Sequence, residues 1–395
     1  MRIVLVNPPS PWLIEPNQFP PLHLMYLGTV LQKGHDIKIC DMEESLPKAD
    51  AYGFSATTPQ YPYALDLAKN IKEYKVVGGA HASAIPIECG NDFDAVVVGE
   101  AELLINNIFN QKSKGIVRCP NPNHLQIPKV NRSLVNIHNY NYPIGKDMIP
   151  ATTIITARGC PFSCAFCSEP KQVRFHPLNT VLEEIKEIHE LGFEGILFLD
   201  DIFTINTERC IRISKECKKY RIKYRCYARP YLKEDLIQKM AENGCVEIGM
   251  GIESASQRIL NLNQKGTTVE NNRKTIELCK KYGIAVNAFI MIGLPGETRE
   301  TVEETKKFIL ETKPEKFGYS VFMPYPGSPI YNNPEKFNIK IHPLNYRKMW
   351  TKGRKGEYEC FVETEELTRS EIITLHENVY KELSEQLNWR RDWSK

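Results

Sequence analysis

The first third of the chain alternates short apolar runs with amphipathic segments. The apolar runs are rich in β-branched residues, and turns or helical periods separate them. This pattern predicts a parallel sheet with helices on its faces, because buried parallel strands need helical crossovers. The predicted helices cover 22–34 and 63–74, and the predicted strands are RIVLVNPP (2–9), DIKICD (36–41), AYGFSAT (51–57), KVVGGAHAS (75–83) and DAVVVGEAE (94–102).

Residues 113–150 interrupt the alternation. They are rich in Pro, Asn and short polar runs with no lasting period, which is typical of a linker or an irregular bridging segment. Cys119 and His124 within this segment resemble half of a zinc site, but no second pair of ligands follows nearby. Chance placement is therefore the simpler interpretation of these two residues.

Residues 151–330 restart the alternation and contain six repeats of strand then helix. Six repeats are too few for a closed eight-stranded barrel and favour an open barrel of about six parallel strands, with its chemistry at the carboxyl ends of the strands. The charged tail, 331–395, is expected to form two helices that cap the barrel mouth. The predicted barrel strands are TTIITARG (152–159), GILFLDD (195–201), KYRCYARP (223–230), EIGMGIES (247–254), AVNAFIMIG (285–293) and GYSVFMPYPG (318–327).

This organisation predicts an α/β protein with four parts. A Rossmann-like domain covers 1–112, a linker 113–150, a partial barrel 151–330 and a helical extension 331–395. With 395 residues, of which 42% are hydrophobic, the chain is long enough to bury more than one core.

Charge and cysteine content narrow the class of protein. The 51 basic and 48 acidic residues give a formal charge of only +3, which provides no strong field for nucleic acid or membrane. The chain shows neither a signal peptide nor a long apolar stretch, and its twelve cysteines have no regular framework of spacings. We therefore expect a cytoplasmic protein with reduced thiols and a metal site.

The metal site is predicted in the segment RGCPFSCAFCSEP (158–170). Cys160, Cys164 and Cys167 lie on a short loop after the first barrel strand, so their thiolates can converge. Three thiolates are one fewer than a closed tetrahedral site needs, and soft sulfur ligands suit iron–sulfur clusters or zinc. A structural zinc ion would need a fourth ligand close by, yet the next cysteine or histidine after Cys167 is His176.

The C-x3-C-x2-C spacing, with Phe166 before the last cysteine, resembles the radical S-adenosylmethionine superfamily. The resemblance implies a [4Fe-4S] cluster whose open iron binds S-adenosylmethionine and cleaves it reductively to a 5′-deoxyadenosyl radical. It also implies an electron donor, either a reductase or a flavodoxin- or ferredoxin-type protein.

Further residues match the family's motifs, each at a predicted strand end. By resemblance, Asp200 or Asp201 would accept from the methionine amino group, and Arg229 would pair with the methionine carboxylate, although a rim salt bridge explains Arg229 equally well. Glu253 would contact the ribose, and AFIMIGLPGE (288–297) resembles the adenine-binding strand and turn, with Ile290 to Gly293 against the base.

The N-terminal region resembles the cobalamin-binding-type domain that precedes the barrel in one subgroup of this superfamily. The resemblance implies a corrinoid at the carboxyl edge of the sheet, serving as a methyl carrier. The sequence departs from this subgroup in two respects: no D-x-H-x-x-G motif occurs, and few residues separate Asp41 from the next strand. The candidate cobalamin contacts are Ser55, Thr57, Gly78, Gly79, His81, Gly99 and Glu100, although glycine turns and loop hydrogen bonds explain several of them.

The leading interpretation is a cobalamin-dependent radical methyltransferase that functionalises an unactivated carbon. A second is a radical enzyme without cobalamin, such as a methylthiotransferase-like protein whose first domain holds another cluster or the substrate. The candidate ligands of such a cluster are Cys40, Cys89 and Cys119. The third is a nucleic-acid-binding module, for which the possible contacts are Lys352, Arg354, Lys355 and WRRDW (389–393), but a solvated surface explains these residues more simply.

Overall fold

The computed structural model describes residues 1–11, 13, 16–120, 128–351 and 358–388. The chain divides into two compact units, residues 1–141 with 345–349 and residues 142–344 with 350–395. No helix in the described parts of the chain is both long and apolar enough to cross a membrane. His124, the basic residues Lys352, Arg354 and Lys355, and the WRRDW segment lie outside the described residues.

The first unit contains a six-stranded sheet in the order β2-β1-β3-β4-β5-β6, and every neighbouring pair is parallel. Its strands are β1 (Arg2–Asn7), β2 (Asp36–Asp41), β3 (Ala51–Ser55), β4 (Tyr74–Gly78), β5 (Ala95–Val98) and β6 (Gly115–Arg118). Its helices are α1 (Leu22–Leu31), α2 (Tyr61–Ala68), α3 (Ala80–Ala84), α4 (Pro86–Cys89) and α5 (Ile105–Gln111).

The sequence of β1 explains its central position. Ile3, Val4, Leu5 and Val6 are all buried, so both faces of the strand are covered. A continuous apolar run of this kind is typical of an inner parallel strand. The Rossmann-like fold expected for this region is confirmed.

The second unit contains a curled seven-stranded sheet in the order β15-β14-β13-β12-β11-β8-β7. Six strands are parallel and β7 is antiparallel at the edge, which confirms the open barrel. The strands of this sheet are β7 (Tyr142–Ile144), β8 (Ile149–Ile154), β11 (Gly195–Phe198), β12 (Lys223–Ala228), β13 (Cys245–Glu253), β14 (Ala285–Ile292) and β15 (Lys316–Val321), and the short pairs outside it are β9 (Ala157–Arg158) with β10 (Arg174–Phe175) and β16 (Lys340–Ile341) with β17 (Val362–Glu363).

Eight helices lie in the described part of the second unit, and those following the barrel strands are amphipathic. In the first of them, Val181, Ile185 and Ile188 are buried at helical spacing. The helices are α6 (Leu178–Glu190), α7 (Thr207–Lys219), α8 (Glu234–Glu242), α9 (Gln257–Leu262), α10 (Val269–Lys281), α11 (Arg299–Thr312), α12 (Pro329–Asn332) and α13 (Arg369–Gln386).

Two segments differ from the sequence prediction. The predicted linker, 113–150, contains β6, β7 and the beginning of β8. Strand β6 lies at a sheet edge and is largely exposed, so its sequence lacks the apolar run that marks an inner strand. Within its described residues the tail contains one long helix rather than two, because the buried positions Ile372, His376, Val379 and Leu383 continue along a single face of α13. This helix packs against α11 and β15.

Candidate active site

The cysteine loop begins directly after β9 and is closed at its base. Gly159 has a φ of +87°, and a Cβ at this position would overlap the carbonyl oxygen of Gln172, so only glycine fits. The next residue, Cys160, donates its N–H to the carbonyl oxygen of Pro170 (2.9 Å). The segment between these contacts is therefore held as a compact loop at the carboxyl end of the barrel strands.

The middle of this loop is fixed at Ala165. Its N–H donates to the carbonyl oxygen of Asn263 (3.0 Å), and its carbonyl oxygen accepts from the N–H of Ile330 (3.0 Å). Ala165 is fully buried. Two segments far apart in the sequence thus determine where the loop carries its cysteines.

The three thiols are free, and the environment of each differs. Cys164 is buried and accepts from Nη1 of Arg229 (3.4 Å), while Cys167 accepts from the N–H of Glu169 (3.4 Å). Burial raises the pKa of both Cys160 and Cys167 above the ordinary thiol value. Iron must therefore displace protons when it binds these sulfurs.

A cluster fits these thiols better than a single ion does. Among the described residues, no group of three or more His, Cys, Asp or Glu side chains is arranged to hold one metal ion. A four-iron cluster is wider than one ion and needs its thiolates further apart. Three soft sulfurs on one loop are a donor set that suits an iron–sulfur cluster, whereas a structural zinc site usually has four ligands.

The two aspartates after β11 support the loop in different ways. Asp200 is buried and accepts from both the N–H and the hydroxyl of Thr156 (2.6 Å each), and burial raises its pKa to about 6. Asp201 is exposed and accepts from the N–H of Gly159 (2.8 Å). Of the two predicted acceptors, Asp201 is the one that a ligand can reach.

Arg229 lies at the end of β12 beside the cysteine loop. Its guanidinium carbon is 3.7 Å from the centre of the Phe162 ring, and Nη1 donates to Cys164. Its Nη2 is buried and has no hydrogen-bond partner among the described residues. Because an unpaired buried guanidinium nitrogen is costly, this atom indicates a place for an anionic group. No rim salt bridge to Arg229 occurs within the described residues.

Glu253 ends β13 in a strained conformation, with a φ of +64°. Only 11% of its side chain is exposed, and Oε1 accepts a hydrogen bond from Nζ of Lys265 at 2.6 Å. A Cβ at Gly251 would overlap Oε1 of Glu253 and lie 2.7 Å from Nζ of Lys265, so this glycine leaves the space for the ion pair.

The turn after β14 is held by a buried carboxyl group. Gly293 has a φ of +90° and donates its N–H to Oε2 of Glu297. Burial raises the pKa of Glu297 to about 8. Ile290 alternates with Phe289, which contacts the Tyr227 ring, so the buried Ile290 side chain points to the opposite face. Ile290 can therefore offer only its backbone to a ligand on the Phe289 side.

Sequence reasoning missed Asn263 and Lys265. The side-chain amide of Asn263 donates to the carbonyl oxygens of Ile259 (3.0 Å) and Pro295 (3.2 Å). Both residues lie in the segment GIESASQRILNLNQKG, but neither polar side chain has a spacing that distinguishes it from a surface residue of a helix end.

At the carboxyl edge of the first sheet, the loops after β3 and β4 are packed together. A Cβ on Gly79 (φ +95°) would lie 2.8 Å from the backbone of Ala56, and Ala56 donates its N–H to the carbonyl oxygen of Gly78 (3.1 Å). The hydroxyl of Thr57 contacts Oε1 of Gln60 (2.8 Å). Gly79 therefore has a structural reason that is independent of any ligand, whereas a Cβ on Gly78 would make only ordinary contact with Val97, at 3.6 Å.

His81 packs against the loop after β3, where its backbone N–H donates to the carbonyl oxygen of Ala56 (3.2 Å). It is fully buried and stacked on Tyr61 with a centroid distance of 4.2 Å, and burial lowers its pKa to about 4. Gly99 (φ +88°) is exposed and donates its N–H to Ser83 (3.1 Å), and Glu100 and Ser55 are partly exposed beside their strand ends.

A buried polar network at the same edge was not predicted. The side-chain nitrogen of Gln60 donates to Asn7 (2.9 Å), to the carbonyl oxygen of Pro8 (2.9 Å) and to Ser10 (3.0 Å). Asn7 in turn donates to Asp41 (2.7 Å). The VNPP segment is thus tied to the loop after β3.

Comparison with known proteins gives consistent results over most of the chain. The family profile described as the radical SAM superfamily matches residues 154–309. An uncharacterized methyltransferase of Pyrococcus horikoshii is 33% identical over 403 residues, covering 89% of this chain and 86% of that protein. Bacteriochlorophyllide d C-12(1)-methyltransferase of Chlorobaculum tepidum is 23% identical, covering 91% of this chain and 82% of that protein.

A solved structure shows the same fold. The radical S-adenosylmethionine methyltransferase TsrM from Kitasatospora setae, with cobalamin and a [4Fe-4S] cluster bound, superposes with a TM-score of 0.74 at 16% identity. The superposition covers 96% of this chain and 90% of that one. The likeness therefore includes both the first sheet and the open barrel.

Proposed function

The chain belongs to the radical S-adenosylmethionine superfamily, in the subgroup with a cobalamin-binding-type domain before the barrel, and we propose that it is a cobalamin-dependent methyltransferase acting on an unactivated carbon. The observation that carries this proposal is the cysteine loop, fixed at Ala165 beside an arginine with an unpaired buried nitrogen. Radical SAM enzymes use a [4Fe-4S] cluster and S-adenosylmethionine, and this site has groups suited to both.

Cys160, Cys164 and Cys167 would hold the cluster through their sulfurs. When bound, the cluster supplies the electron that splits S-adenosylmethionine and so starts radical chemistry at an unreactive C–H bond. The loop's task is to fix the position of the thiolates, which its contacts at Ala165 and Cys160 accomplish.

We assign the S-adenosylmethionine contacts from the charge of each side chain and from whether a ligand can reach it. Nη2 of Arg229 would donate to the methionine carboxylate, because a charge-assisted hydrogen bond satisfies its unpaired donor. Asp201 would accept from the amino group, since Asp200 is committed to Thr156. Oε2 of Glu253 would accept from the ribose hydroxyls, because Oε1 is bound to Lys265. The backbone from Ile290 to Gly293 would lie against the adenine.

Cobalamin would lie at the carboxyl edge of the first sheet. Three observations support this placement: the parallel sheet, the loops after its strands, and relatives named as methyltransferases. The segment 42–50 contains no helix, in agreement with the short spacing noted in the sequence. The proposed contacts are Ser55, Thr57, Gly78, Gly79, Gly99 and Glu100, whereas the buried His81 would support the edge from within.

An external electron donor completes the proposal. Radical SAM enzymes typically require one, and we propose a reductase or a flavodoxin- or ferredoxin-type protein. The methylthiotransferase-like alternative would need a second cluster in the first unit. Of its candidate ligands, Cys40 and Cys89 are buried, and burial raises the pKa of both thiols, to about 12 and about 11.

The test is anaerobic reconstitution of the full chain with iron and sulfide, with and without hydroxocobalamin. We expect about four irons per chain, one bound corrinoid, and deoxyadenosine after reduction with S-adenosylmethionine. Isotope label from the methyl group of S-adenosylmethionine should appear on the bound corrinoid. Iron without corrinoid would favour the enzyme that lacks cobalamin, and absence of deoxyadenosine would contradict the radical chemistry.

A further inference from the structure

The turn that follows α9, residues 263–266, contacts four separate parts of the candidate active site. Asn263 binds the cysteine loop at Ala165 and the carbonyl oxygen of Pro295 in the turn after β14. Lys265 pairs with Glu253, and a Cβ on Gly266 would lie 3.6 Å from Nη2 of Arg229. One short turn therefore borders every element to which we assign a S-adenosylmethionine contact except Asp201.

Lys265 is the charged group of this turn. Its side chain is 7% exposed, that of Glu253 is 11% exposed, and 2.6 Å separates Nζ from Oε1. Nζ also lies 5.7 Å from the centre of the Phe166 ring, which immediately precedes Cys167. The lysine thus pairs with the carboxylate on one side and lies within cation–π distance of the cysteine loop on the other.

The geometry of Glu253 shows why it needs such a partner. A φ of +64° is unfavourable for a residue with a side chain and persists only where surrounding contacts enforce it. With Oε1 engaged by Lys265, Oε2 has no hydrogen-bond partner in the described part of the chain. The ion pair therefore leaves one oxygen of a fixed carboxylate for another group.

We propose that Lys265 is a positioning residue that orients Glu253 toward S-adenosylmethionine and ties that orientation to the cysteine loop. This inference rests on the proposed role of Glu253. In this role Lys265 acts through its ion pair with Glu253. Removing the lysine should therefore weaken binding by freeing the glutamate, and it should have little further effect once Glu253 itself is replaced.

The test measures the dissociation constant of S-adenosylmethionine for the anaerobically reconstituted full chain by equilibrium dialysis. We expect Lys265→Met to raise it about tenfold, Glu253→Gln to raise it by a similar factor, and the double variant to bind no more weakly than Glu253→Gln alone. Iron content should remain at the wild-type level in all three.

The matched control is Lys316→Met. Lys316 also pairs with a buried glutamate, Glu247, at 2.9 Å, but at the opposite ends of the strands. Its loss should lower the thermal midpoint of unfolding without changing the affinity for S-adenosylmethionine. If Lys265→Met does not fold, Gly251→Ala provides the same test, because its Cβ displaces the ion pair and removes neither charge.

Two results would overturn the inference. One is an affinity of Lys265→Met for S-adenosylmethionine equal to that of the wild type, and the other is a double variant that binds S-adenosylmethionine more weakly than Glu253→Gln does. Wild-type affinity in Glu253→Gln would overturn the assignment of Glu253 and the inference with it. A wild-type protein that carries iron but binds no S-adenosylmethionine would instead refute the proposed function, so the two failures are distinguishable.

Discussion

The two ends of the barrel sheet carry the same pair of residue types on the same two strands. Near the amino ends, Arg225 on β12 faces Glu247 on β13, and at the carboxyl ends Arg229 follows β12 while Glu253 ends β13. The first pair is closed: both side chains are buried, 3.2 Å apart, and Glu247 also accepts from Gly145 and Lys316. The second pair is not formed.

At the carboxyl ends, Glu253 pairs with Lys265 from outside the strands, and Arg229 is left with an unpaired nitrogen beside Cys164. The difference teaches that pairing, and not residue type, separates a structural ion network from a binding site. A buried cation with a carboxylate partner stabilises the fold, as Arg225 does with Glu247, whereas a cation with none among the described residues, such as Arg229 with its buried Nη2, indicates a place for an anionic ligand.

The largest effect should come from the three cysteines of the loop at the carboxyl end. Cys160→Ala should abolish cluster binding and all deoxyadenosine formation, because the loop offers no replacement thiolate. Iron analysis and chromatography of the products check this. Cys279→Ala is the control, since Cys279 is buried in the core and should keep both properties.

The next prediction concerns the ion pair of Arg225 and Glu247 near the amino ends of the strands. Glu247→Ala should lower the free energy of unfolding by about 3–5 kcal/mol, because it leaves Arg225 buried without its partner. Urea denaturation of the reconstituted chain measures this. A loss below about 1 kcal/mol would show that the network does not hold the sheet.

Replacement of the open arginine should act on binding. Arg229→Gln should weaken S-adenosylmethionine about 10- to 100-fold, as expected for the loss of a hydrogen bond to a charged group worth about 1.5–3 kcal/mol. Arg225→Gln is the matched variant: it should reduce stability and leave the affinity of the folded protein unchanged. If Arg229→Gln and Arg225→Gln bound S-adenosylmethionine equally well, the distinction between a binding site at the carboxyl ends and a structural network at the amino ends would be wrong.

The buried carboxyl group of Glu297 should make stability depend on pH. Burial raises the pKa of Glu297 from 4.5 to about 8, so its stabilising contribution is complete below pH 4.5 and is lost as the pH rises to about 8. Relative to Glu297→Gln, wild-type stability should fall over this window by up to about 1.4 kcal/mol per pH unit. Urea denaturation at a series of pH values measures this. If the free energies of unfolding of the two proteins changed with pH in parallel, the raised pKa of Glu297 would be contradicted.

The smallest effect concerns an exposed ion pair. Lys281 and Glu234 are 2.6 Å apart, the same distance as Lys265 and Glu253, but both are largely exposed. Lys281→Ala should leave the unfolding midpoint and the affinity for S-adenosylmethionine unchanged, because solvent screens the pair. A clear loss would mean that distance matters more than burial.

Much of this organisation was readable in advance. The period of apolar runs predicted both parallel sheets, since inner strands must be covered on both faces, as Ile3 to Val6 show. The spacing of Cys160, Cys164 and Cys167 predicted the cluster loop, because ligands on one short loop converge whatever surrounds them. Edge strand β6 was missed, since an exposed strand has no such pattern.

Local order along the chain was thus enough for the type of fold and for a site of three converging thiolates, and the cofactors followed from the family resemblance of the motifs. Contacts between distant segments decided the rest: that Glu253 pairs with Lys265 and not with Arg229, that Asn263 holds Ala165, and that His81 lies in the core. These outcomes depend on which side chains come into contact after the strands assemble. Neither the periodicity nor the residue spacing of the sequence contains that information.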